Sequence, residues 1–271
     1  MPRSIGDASA YLIRIPFLNH NFIGGIGMMK PAGYKWGIHR ALLQDPFLKN
    51  LLPETRFWNE KNLRSMLARH TSLILKPSGG KKGRGVIQVN RLGGDRYEVR
   101  RNTTNRTLKG MSKLVHHLQP LVQAAPTRYF IQERIPLIRI GDRSVDFRIM
   151  IQRKKKTPWT VTASLARVAK KGNVVTNVSA GGSILTVEQA LRRSNLQVPS
   201  QTVIKRFHTV GLRCAPRLNR FARRRVIGLD LGVDPKGKTW IIEVNTLPDH
   251  YVFRRFNPAM YRRIRSFGYP R

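Results

Sequence analysis

The sequence has few cysteines, few acidic residues and no long apolar runs, and each shortage excludes a class of protein. Its single cysteine, Cys214, excludes an internal disulfide framework and is typical of the reducing cytoplasm, where we expect the protein to be. The apolar stretch at residues 13–29 is interrupted by Arg14 and His20, so we expect no secretory signal. No apolar run is long enough to span a bilayer, so we expect no transmembrane segment.

Acidic residues are so scarce that the formal net charge is +37, with 51 Lys and Arg against 14 Asp and Glu. A surface this basic attracts polyanions, so we expect an acidic macromolecule as a partner: nucleic acid, an anionic polymer or an acidic peptide. The alternative is an enzyme whose basic surface has no specific partner. The arginine-rich stretches 220–225 and 254–265 are interleaved with Phe and Tyr, which favours folded surface over a disordered tail.

The apolar pattern predicts an α+β chain with two lobes joined near residue 135. Residues 1–34 are predicted to be an irregular lead-in, residues 35–135 an N-terminal lobe and residues 136–271 a C-terminal lobe. Strands are predicted at 72–76, 86–90, 96–101, 129–135, 145–151, 159–168, 174–178, 226–233 and 239–245. Helices are predicted at 35–44, 59–70, 111–123, 186–193 and 200–212.

A glycine-rich segment, residues 79–85, connects two of the predicted strands. Its glycines are Gly79, Gly80, Gly83 and Gly85. They allow backbone N–H groups to approach phosphate oxygens, and Lys82 and its basic neighbours add positive charge. The segment matches neither a Walker A loop nor Gly-x-Gly-x-x-Gly, and alone it is equally typical of a basic hairpin tip. Lys76, at the end of the preceding strand, can reach phosphates that such a loop would cover.

The last two predicted strands carry carboxylates that we expect to face each other. The turn after Asp234 suits a four-residue loop with Gly237 at positive φ, a register that pairs Asp230 with Glu243. Paired residues share a face with Cβ atoms about 4.5–5.5 Å apart, and Asn245 lies on that face too. Asp, Glu and Asn oxygens suit Mg²⁺. The alternative is that nearby Lys or Arg neutralise the carboxylates as salt bridges.

Several segments, in the same order along the chain, resemble the ATP-grasp superfamily from about Lys35 onward. They are LILKP at 73–77 with its glycine loop, FIQERI at 130–135, DFR at 146–148, ARV at 166–168, NVSAGG at 177–182, IGLD at 227–230 and IEVN at 242–245. In detail the chain is most similar to the YheC/YheD-type, endospore-coat-associated ATP-grasp proteins, through LPET at 52–55 and DFRIMIQ at 146–152. The resemblance implies two α+β lobes that sandwich ATP.

The resemblance also implies an activity and its residues. An ADP-forming ligase of this class uses ATP and Mg²⁺ to activate a carboxylate as an acyl phosphate and joins it to an amine. Arg148 and Arg167 would be the catalytic residues and would stabilise the transferring phosphoryl group and the acyl phosphate. The alternative for each arginine is a structural pairing with a carboxylate. Asp146 is a candidate for such a pairing, because it shares a strand face with Arg148.

The remaining roles that the resemblance implies concern the nucleotide and the metal. Lys35 and Lys76 would grip the α- and β-phosphates beneath the 79–85 loop, and residues 132–135 would be the hinge that reads adenine, with Glu133 as a hydrogen-bond partner. The nucleotide ligands implied are Lys35, Lys76, Gly79, Gly80, Lys82, Gly83, Gly85, Gln132, Glu133, Ile135, Asn177, Gly181 and Gly182. The Mg²⁺ ligands implied are Asp230, Glu243 and Asn245.

One departure concerns the acceptor side of the site. ATP-grasp ligases usually carry an additional N-terminal α/β domain, and only a short segment precedes Lys35, so we expect that domain to be missing. The substrate pocket would then be simpler, completed by a second subunit as in a homodimer, or open to a large substrate.

Three functions are compatible with these features. They are a ligase acting on a peptide, protein, cell-envelope or spore precursor, a catalytically weak scaffold that binds an anionic polymer in a spore, and a kinase-like transferase. The intact carboxylate pair beside Lys76 and Arg148 favours the ligase, because a scaffold has no need to hold two carboxylates face to face.

Overall fold

The computed structural model describes residues 31–79, 85–101, 104–173, 176, 181–222 and 224–269. The helices are α1 (Pro31–Leu43), α2 (Pro46–Lys49), α3 (Glu60–Arg69), α4 (Met111–Gln123), α5 (Val187–Arg193), α6 (Ser200–Ala222), α7 (Tyr251–Phe256) and α8 (Pro258–Ser266). The strands are β1 (Thr55–Phe57), β2 (Ser72–Pro77), β3 (Ile87–Gly93), β4 (Arg96–Arg101), β5 (Thr104–Lys109), β6 (Tyr129–Glu133), β7 (Arg139–Ile140), β8 (Arg143–Gln152), β9 (Thr160–Val168), β10 (Ser183–Leu185), β11 (Val226–Val233) and β12 (Thr239–Asn245). Of the predicted strand at 174–178 the structure describes only Thr176. Residues 1–30 of the predicted lead-in lie outside the described residues, and residues 31–34, predicted to be irregular, begin α1.

The first sheet is antiparallel, with strand order β1-β6-β2-β3-β4-β5. One face packs against α3 and α4, because their apolar stripes, represented by Leu63 and Leu118, meet Leu73 and Ile131 in one buried cluster. Side chains alternate along a strand, so Gln132, which follows Ile131, points to the opposite face. That opposite face forms one wall of the cleft described below.

The second sheet has strand order β10-β9-β8-β11-β12, also antiparallel, with β7 paired to β8. One face buries Phe147 and Leu229 against Phe207 of α6 in the larger core. The other face is covered at one end by α7 and α8, where Phe253 and Ile264 pack with strand residues. The uncovered end of that face carries polar and charged side chains.

Helices α1 and α2 pack with the second sheet, although they precede the first sheet in the chain. Ile38, Leu42 and Leu48 belong to the larger core, beside β12 and α6. The buried carboxylate of Asp45 caps α2 and accepts hydrogen bonds at 2.9–3.0 Å from Nε of Arg213 on α6. The predicted lobe boundary at residue 135 stays a prediction, but these helices join the sheet that follows it.

The predicted hairpin is present over the predicted strands, with a correction to its turn. Val233, not Asp234, pairs with Thr239, so the loop, residues 234–238, is one residue longer than predicted. Gly237 adopts the predicted positive φ, 83°. The register then shifts by one residue, which restores the predicted pairing of Asp230 with Glu243.

The further differences from the prediction include α6 and β5. Helix α6 continues past residue 212 to Ala222, because the buried stripe continues through Cys214 and Leu218. Strand β5 was not predicted, because its side chains are mostly exposed and show no apolar alternation. No helix among the residues described is long and apolar enough to span a bilayer.

Candidate active site

A row of charged side chains lies on the uncovered end of the second sheet. Asp146 on β8 is opposite Arg167 on β9, Arg148 is opposite Asp230 on β11, and Asp230 is opposite Glu243 on β12. Residues that pair directly across strands point to the same face. These five residues, which we call the charged row, therefore lie together on the face opposite the larger core.

Both arginines of the charged row are held by carboxylates. Arg167 donates from Nε and Nη2 to the two oxygens of Asp146, at 2.7 and 2.6 Å. Its Nη2 also lies 3.1 Å from Oδ2 of Asp230. Arg148 donates from Nε to Oδ1 of Asp230 and, at 3.0 Å, from Nη2 to Oδ2. The hydroxyl of Thr176 donates to Asp146 at 2.5 Å.

The electrostatics of this network favour the ionised forms of Asp230, Arg148 and Arg167. Burial would raise the pKa of Asp230, but Arg148 and Arg167 outweigh it and hold that pKa below its ordinary value. Burial would lower the pKa of Arg167, but Asp146 and Asp230 raise it above the ordinary value. The structural pairing with a carboxylate, which the sequence left open as an alternative, is therefore present for both Arg148 and Arg167. It also fixes two guanidinium groups on the cleft side of the sheet.

Lys76 bridges the two sheets from the first-sheet wall of the cleft. Its Nζ donates to Oε1 of Gln132 at 2.8 Å and to the backbone oxygen of Ile242 on β12 at 3.4 Å. Gln132 Nε2 in turn donates to Oγ1 of Thr55 at 2.8 Å. Burial and the charge of Lys35 lower the pKa of Lys76, whereas Glu243 raises it, and the result is about 8.

Lys35 approaches the same place from α1, and its Nζ lies 2.8 Å from Oε1 of Glu243. A cavity between the sheets lies beside this ion pair. Its polar lining is Lys35, His39, Thr55, Lys76, Gln132 and Glu243. Burial and the charge of Lys76 lower the pKa of His39 to about 4, so His39 adds no charge at neutral pH.

The cavity also has an aromatic wall. Trp36 of α1 packs against Phe57 and Phe130, with ring centroids 4.7 and 5.7 Å apart. An apolar wall with a few convergent polar groups is typical of a small-ligand site. The cavity therefore combines an aromatic surface with Lys35, Lys76 and Glu243, which the sequence singled out.

The hinge residues are divided between the two faces of β6. Glu133 pairs with Leu73, on the face that packs against α3. Its carboxylate lies 3.4 Å from Nδ1 of His70, whose Nε2 lies 2.8 Å from Glu54. The structure thus turns the Glu133 side chain away from the cleft and places the Gln132 side chain in it, while the predicted contact of Glu133 with adenine stays a prediction. The backbone oxygen of Ile135, beyond β6, accepts from the N–H of Leu137 at 2.9 Å.

The glycine segment is described only at its two ends. The N–H of Gly79 donates to Oγ1 of Thr127 at 3.3 Å, and the backbone oxygen of Gly85 accepts from the Tyr129 hydroxyl at 2.9 Å. Gly85 has φ of 77°, and an added Cβ would lie 2.8 Å from that hydroxyl, so both conformation and space require glycine.

The other predicted nucleotide residues are either outside the described part or not brought to the cavity. Gly80, Lys82, Gly83 and Asn177 lie outside the described residues. Gly181 has φ of 85°, and an added Cβ would lie 3.1 Å from Cδ of Lys170. Gly182 precedes β10. Neither Gly181 nor Gly182 lines the cavity that holds Lys76.

The predicted Mg²⁺ ligands have a donor set that fits this ion. Within the described part of the chain, no group of three or more His, Cys, Asp and Glu side chains could hold a metal. Asp230 and Glu243 are directly paired, and Asn245 lies two residues beyond Glu243 on the same face. Mg²⁺ commonly takes one or two protein carboxylates and completes its shell with phosphate oxygens and water. Two carboxylates and an amide oxygen suit that pattern.

Sequence reasoning missed Thr55 and understated Asp146. Thr55 contacts Gln132 only because β1 pairs with β6, which is distant in sequence, and no local pattern signals that contact. Asp146 carried a signal in its alternation with Arg148, but its partner is Arg167 on the neighbouring strand.

Comparisons with known proteins agree with this geometry. A family model described as YheC/D like ATP-grasp matches residues 16–267. The chain is 26% identical over 250 residues to the endospore coat-associated protein YheD of Bacillus subtilis (strain 168), covering 90% of this chain and 52% of YheD. It is 23% identical over 240 residues to YheC of the same organism, covering 85% of this chain and 64% of YheC. It therefore spans about half of YheD and under two thirds of YheC.

Among solved structures, the fold is similar to D-cycloserine synthetase DcsG. The TM-score is 0.51 at 10% sequence identity, and the match covers 86% of this chain and 69% of that one. This likeness concerns the fold alone. Together with the family match over residues 16–267, this likeness identifies the two-sheet architecture. The chain has the ATP-grasp fold and belongs to the YheC/D-like ATP-grasp family.

Proposed function

We propose that the chain is an ATP- and Mg²⁺-dependent ligase that joins a carboxylate to an amine through an acyl phosphate. One observation carries the proposal. Two ion-paired arginines and two paired carboxylates lie on one sheet face, next to a cavity that holds Lys35 and Lys76. Phosphoryl transfer depends mainly on positioning and on compensating charge spread over phosphate oxygens. The charged row and the lysines supply both.

In this proposal, different residues bind the base, the phosphates and the metal ion. Trp36 and Phe130 offer an aromatic surface to the base, while Gln132 presents an amide beside them. Lys76 and Lys35 provide positive charge for the phosphates. Asp230, Glu243 and Asn245 would hold Mg²⁺, which when bound neutralises charge on the β- and γ-phosphates.

The proposed reaction has two steps. A carboxylate oxygen of the first substrate attacks the γ-phosphorus of ATP, and the bond from that phosphorus to the bridging oxygen breaks, so ADP leaves with the electron pair. The amine nitrogen then attacks the acyl carbon, phosphate leaves, and the nitrogen gives up a proton to water. Arg148 and Arg167, held in place by Asp230 and Asp146, would stabilise the negative charge that develops in both steps.

We expect ATP affinity to fall as pH rises above the pKa of Lys76. This pKa is about 8 in the ligand-free protein, so the side chain is increasingly neutral above that pH. Binding a polyphosphate then requires proton uptake, and the affinity should fall by up to about tenfold per pH unit. Titrations at pH 7 and pH 9.5 measure this, with Lys76→Arg as the control, because arginine stays charged throughout. An equal pH dependence in both proteins would contradict a role for Lys76.

Thr55→Val should weaken ATP binding by about two- to tenfold, because a hydrogen bond of this kind contributes about 0.5–1.5 kcal/mol. The substitution removes the oxygen that accepts from Gln132, which in turn positions Lys76. Thr107→Val, at an exposed position of β5, is a matched control and should leave the affinity unchanged. If both variants bind ATP like the unmodified protein, the chain from Thr55 to Lys76 does not position the lysine.

The ligase activity itself is tested by ADP release. The protein, ATP and Mg²⁺ are incubated with carboxylate and amine candidates, singly and in pairs. A ligase requires both partners for sustained ADP release, whereas a kinase-like enzyme requires only one. The relatives YheD and YheC are named endospore coat-associated, which supports starting with peptides and envelope precursors of spores. Phosphorylated product without any amide product would overturn the proposal.

A further inference from the structure

One end of the second sheet is built from segments that contain no acidic residue. They are residues 153–156, between β8 and β9, Arg224 and Arg225 before β11, and the stretch 262–265 in α8. Together they carry six arginines and three lysines, and all nine except half-buried Arg153 are exposed. We call this surface the basic end.

Specific contacts bring these segments together. The N–H of Arg153 donates to the backbone oxygen of Arg225 at 3.0 Å, which joins the first two segments. The side-chain amide of Gln152 donates to the backbone oxygen of Ile264 in α8 at 3.1 Å. Lys154 lies over the ring of Phe267, 5.4 Å from its centroid. The nine cations therefore form one surface, although they come from distant parts of the chain.

The basic end lacks internal neutralisation. In the part of the chain that the structure describes, the cation of every ion pair is a residue that lies outside the basic end. Nine cations held close together without carboxylates repel one another, and a bound polyanion removes that repulsion. The surface is also separate from the cleft, because Arg153 is five residues beyond Arg148, or about 17 Å along an extended chain.

The composition of the basic end favours one class of polyanion as its partner. Arginine outnumbers lysine by six to three, and its planar guanidinium binds phosphate oxygens in pairs. The exposed large apolar side chains Leu92, Leu212, Leu247 and Tyr251 lie outside it, so it offers nothing to insert into a bilayer. Double-stranded nucleic acid suits such a surface, because it carries about one negative charge per 1.7 Å of helix axis.

We propose that the basic end binds the phosphate backbone of double-stranded nucleic acid, without reading its sequence. This inference does not rest on the ligase proposal, because binding through the basic end requires neither ATP nor Mg²⁺. The proposal assigns nine of the 51 Lys and Arg to one nucleic-acid surface, where each neutralised phosphate releases condensed counterions.

The test compares two variants of equal charge. The basic-end variant carries Lys155→Gln, Arg224→Gln, Arg262→Gln and Arg263→Gln. The control variant carries Lys113→Gln, Arg96→Gln, Arg101→Gln and Arg106→Gln, all exposed on the first lobe. A labelled 20-base-pair duplex is titrated by fluorescence anisotropy at several salt concentrations. Thermal unfolding checks that both variants are folded.

We expect the basic-end variant to bind the duplex at least tenfold more weakly. The slope of log K against log salt should decrease in magnitude by about 3–4, because four phosphate contacts are lost. The control variant should lose less than about threefold, through the change in net charge alone. Equal losses in both variants, or no duplex binding at low salt, would overturn the proposal. If polyglutamate or anionic vesicles bind as tightly as the duplex and respond equally to the basic-end substitutions, the assignment to nucleic acid is wrong.

Discussion

Replacing Glu243 with Gln should lower Mg²⁺-dependent ADP release by at least about a hundredfold, since even groups outside the ligand shell of a metal cost about 10–100-fold when replaced. The amide keeps the size of the side chain but removes one of the two anionic ligands proposed for Mg²⁺. ADP release measured across a Mg²⁺ series should show a higher requirement for the ion in the variant. Activity that saturates at the same Mg²⁺ concentration and reaches the same rate would place the metal elsewhere.

The same substitution should leave the fold unchanged. The Glu243 side chain is 36% exposed and its ion pair with Lys35 is partly solvated. A pair of this kind contributes about 0–1 kcal/mol to the free energy of unfolding. Glu188→Gln, at an exposed position in α5, is the matched control, because it makes the same chemical change away from the cleft. Loss of activity without loss of stability would separate a ligand role from a structural one.

The parts of the fold that could be predicted from sequence depend on local signals. The turn at Gly237 and the flanking apolar alternation predicted the last hairpin and the pairing of Asp230 with Glu243. The loop is one residue longer than predicted, because it includes Asp234, and this leaves one residue of β12 without a partner. That residue is bulged at Ile242, which restores the predicted pairing of Asp230 with Glu243. The bulge has a consequence for the site, because the backbone oxygen of Ile242 accepts from Lys76.

The contacts that sequence reasoning could not give are those between elements distant in the chain. Alternation along β6 shows that Gln132 and Glu133 point to opposite faces, but it does not show which face meets the cleft. The same limit applies to α1, whose apolar residues fit either lobe by pattern, and in the structure Ile38 and Leu42 pack with the second sheet. Residue type, spacing and the family resemblance gave the candidate site residues, whereas the partners of Arg148 and Arg167 depend on the order of the strands.

Asp230→Asn should lower the free energy of unfolding by about 3–5 kcal/mol, because it breaks a buried ion pair and leaves the charges of Arg148 and Arg167 poorly compensated. The side chains involved are only 5–12% exposed, in contrast to Glu243. Denaturant unfolding measures the change. Asp142→Asn is the control, because the Asp142 side chain is 57% exposed and its removal should cost less than about 0.5 kcal/mol.

A double variant separates charge compensation from a general packing defect. Adding Arg148→Gln to Asp230→Asn removes one of the two uncompensated cations, so it should recover part of the lost stability. A simple packing defect would instead make the double variant less stable than Asp230→Asn alone. That outcome would show that the charged row is not stabilised by its ion pairs.

The pH dependence gives an independent measure of the same interaction. The folded pKa of Asp230 is held below its ordinary value of 3.8. Its ionised form therefore contributes stability that is fully present above about pH 4 and is lost as pH falls through the folded pKa. Asp230→Asn has no such group to titrate, so the stability difference between the two proteins should be constant near pH 7 and should shrink below pH 4. A difference that stays constant down to pH 2 would mean that the cost arises from the shape of the asparagine side chain and not from the missing charge.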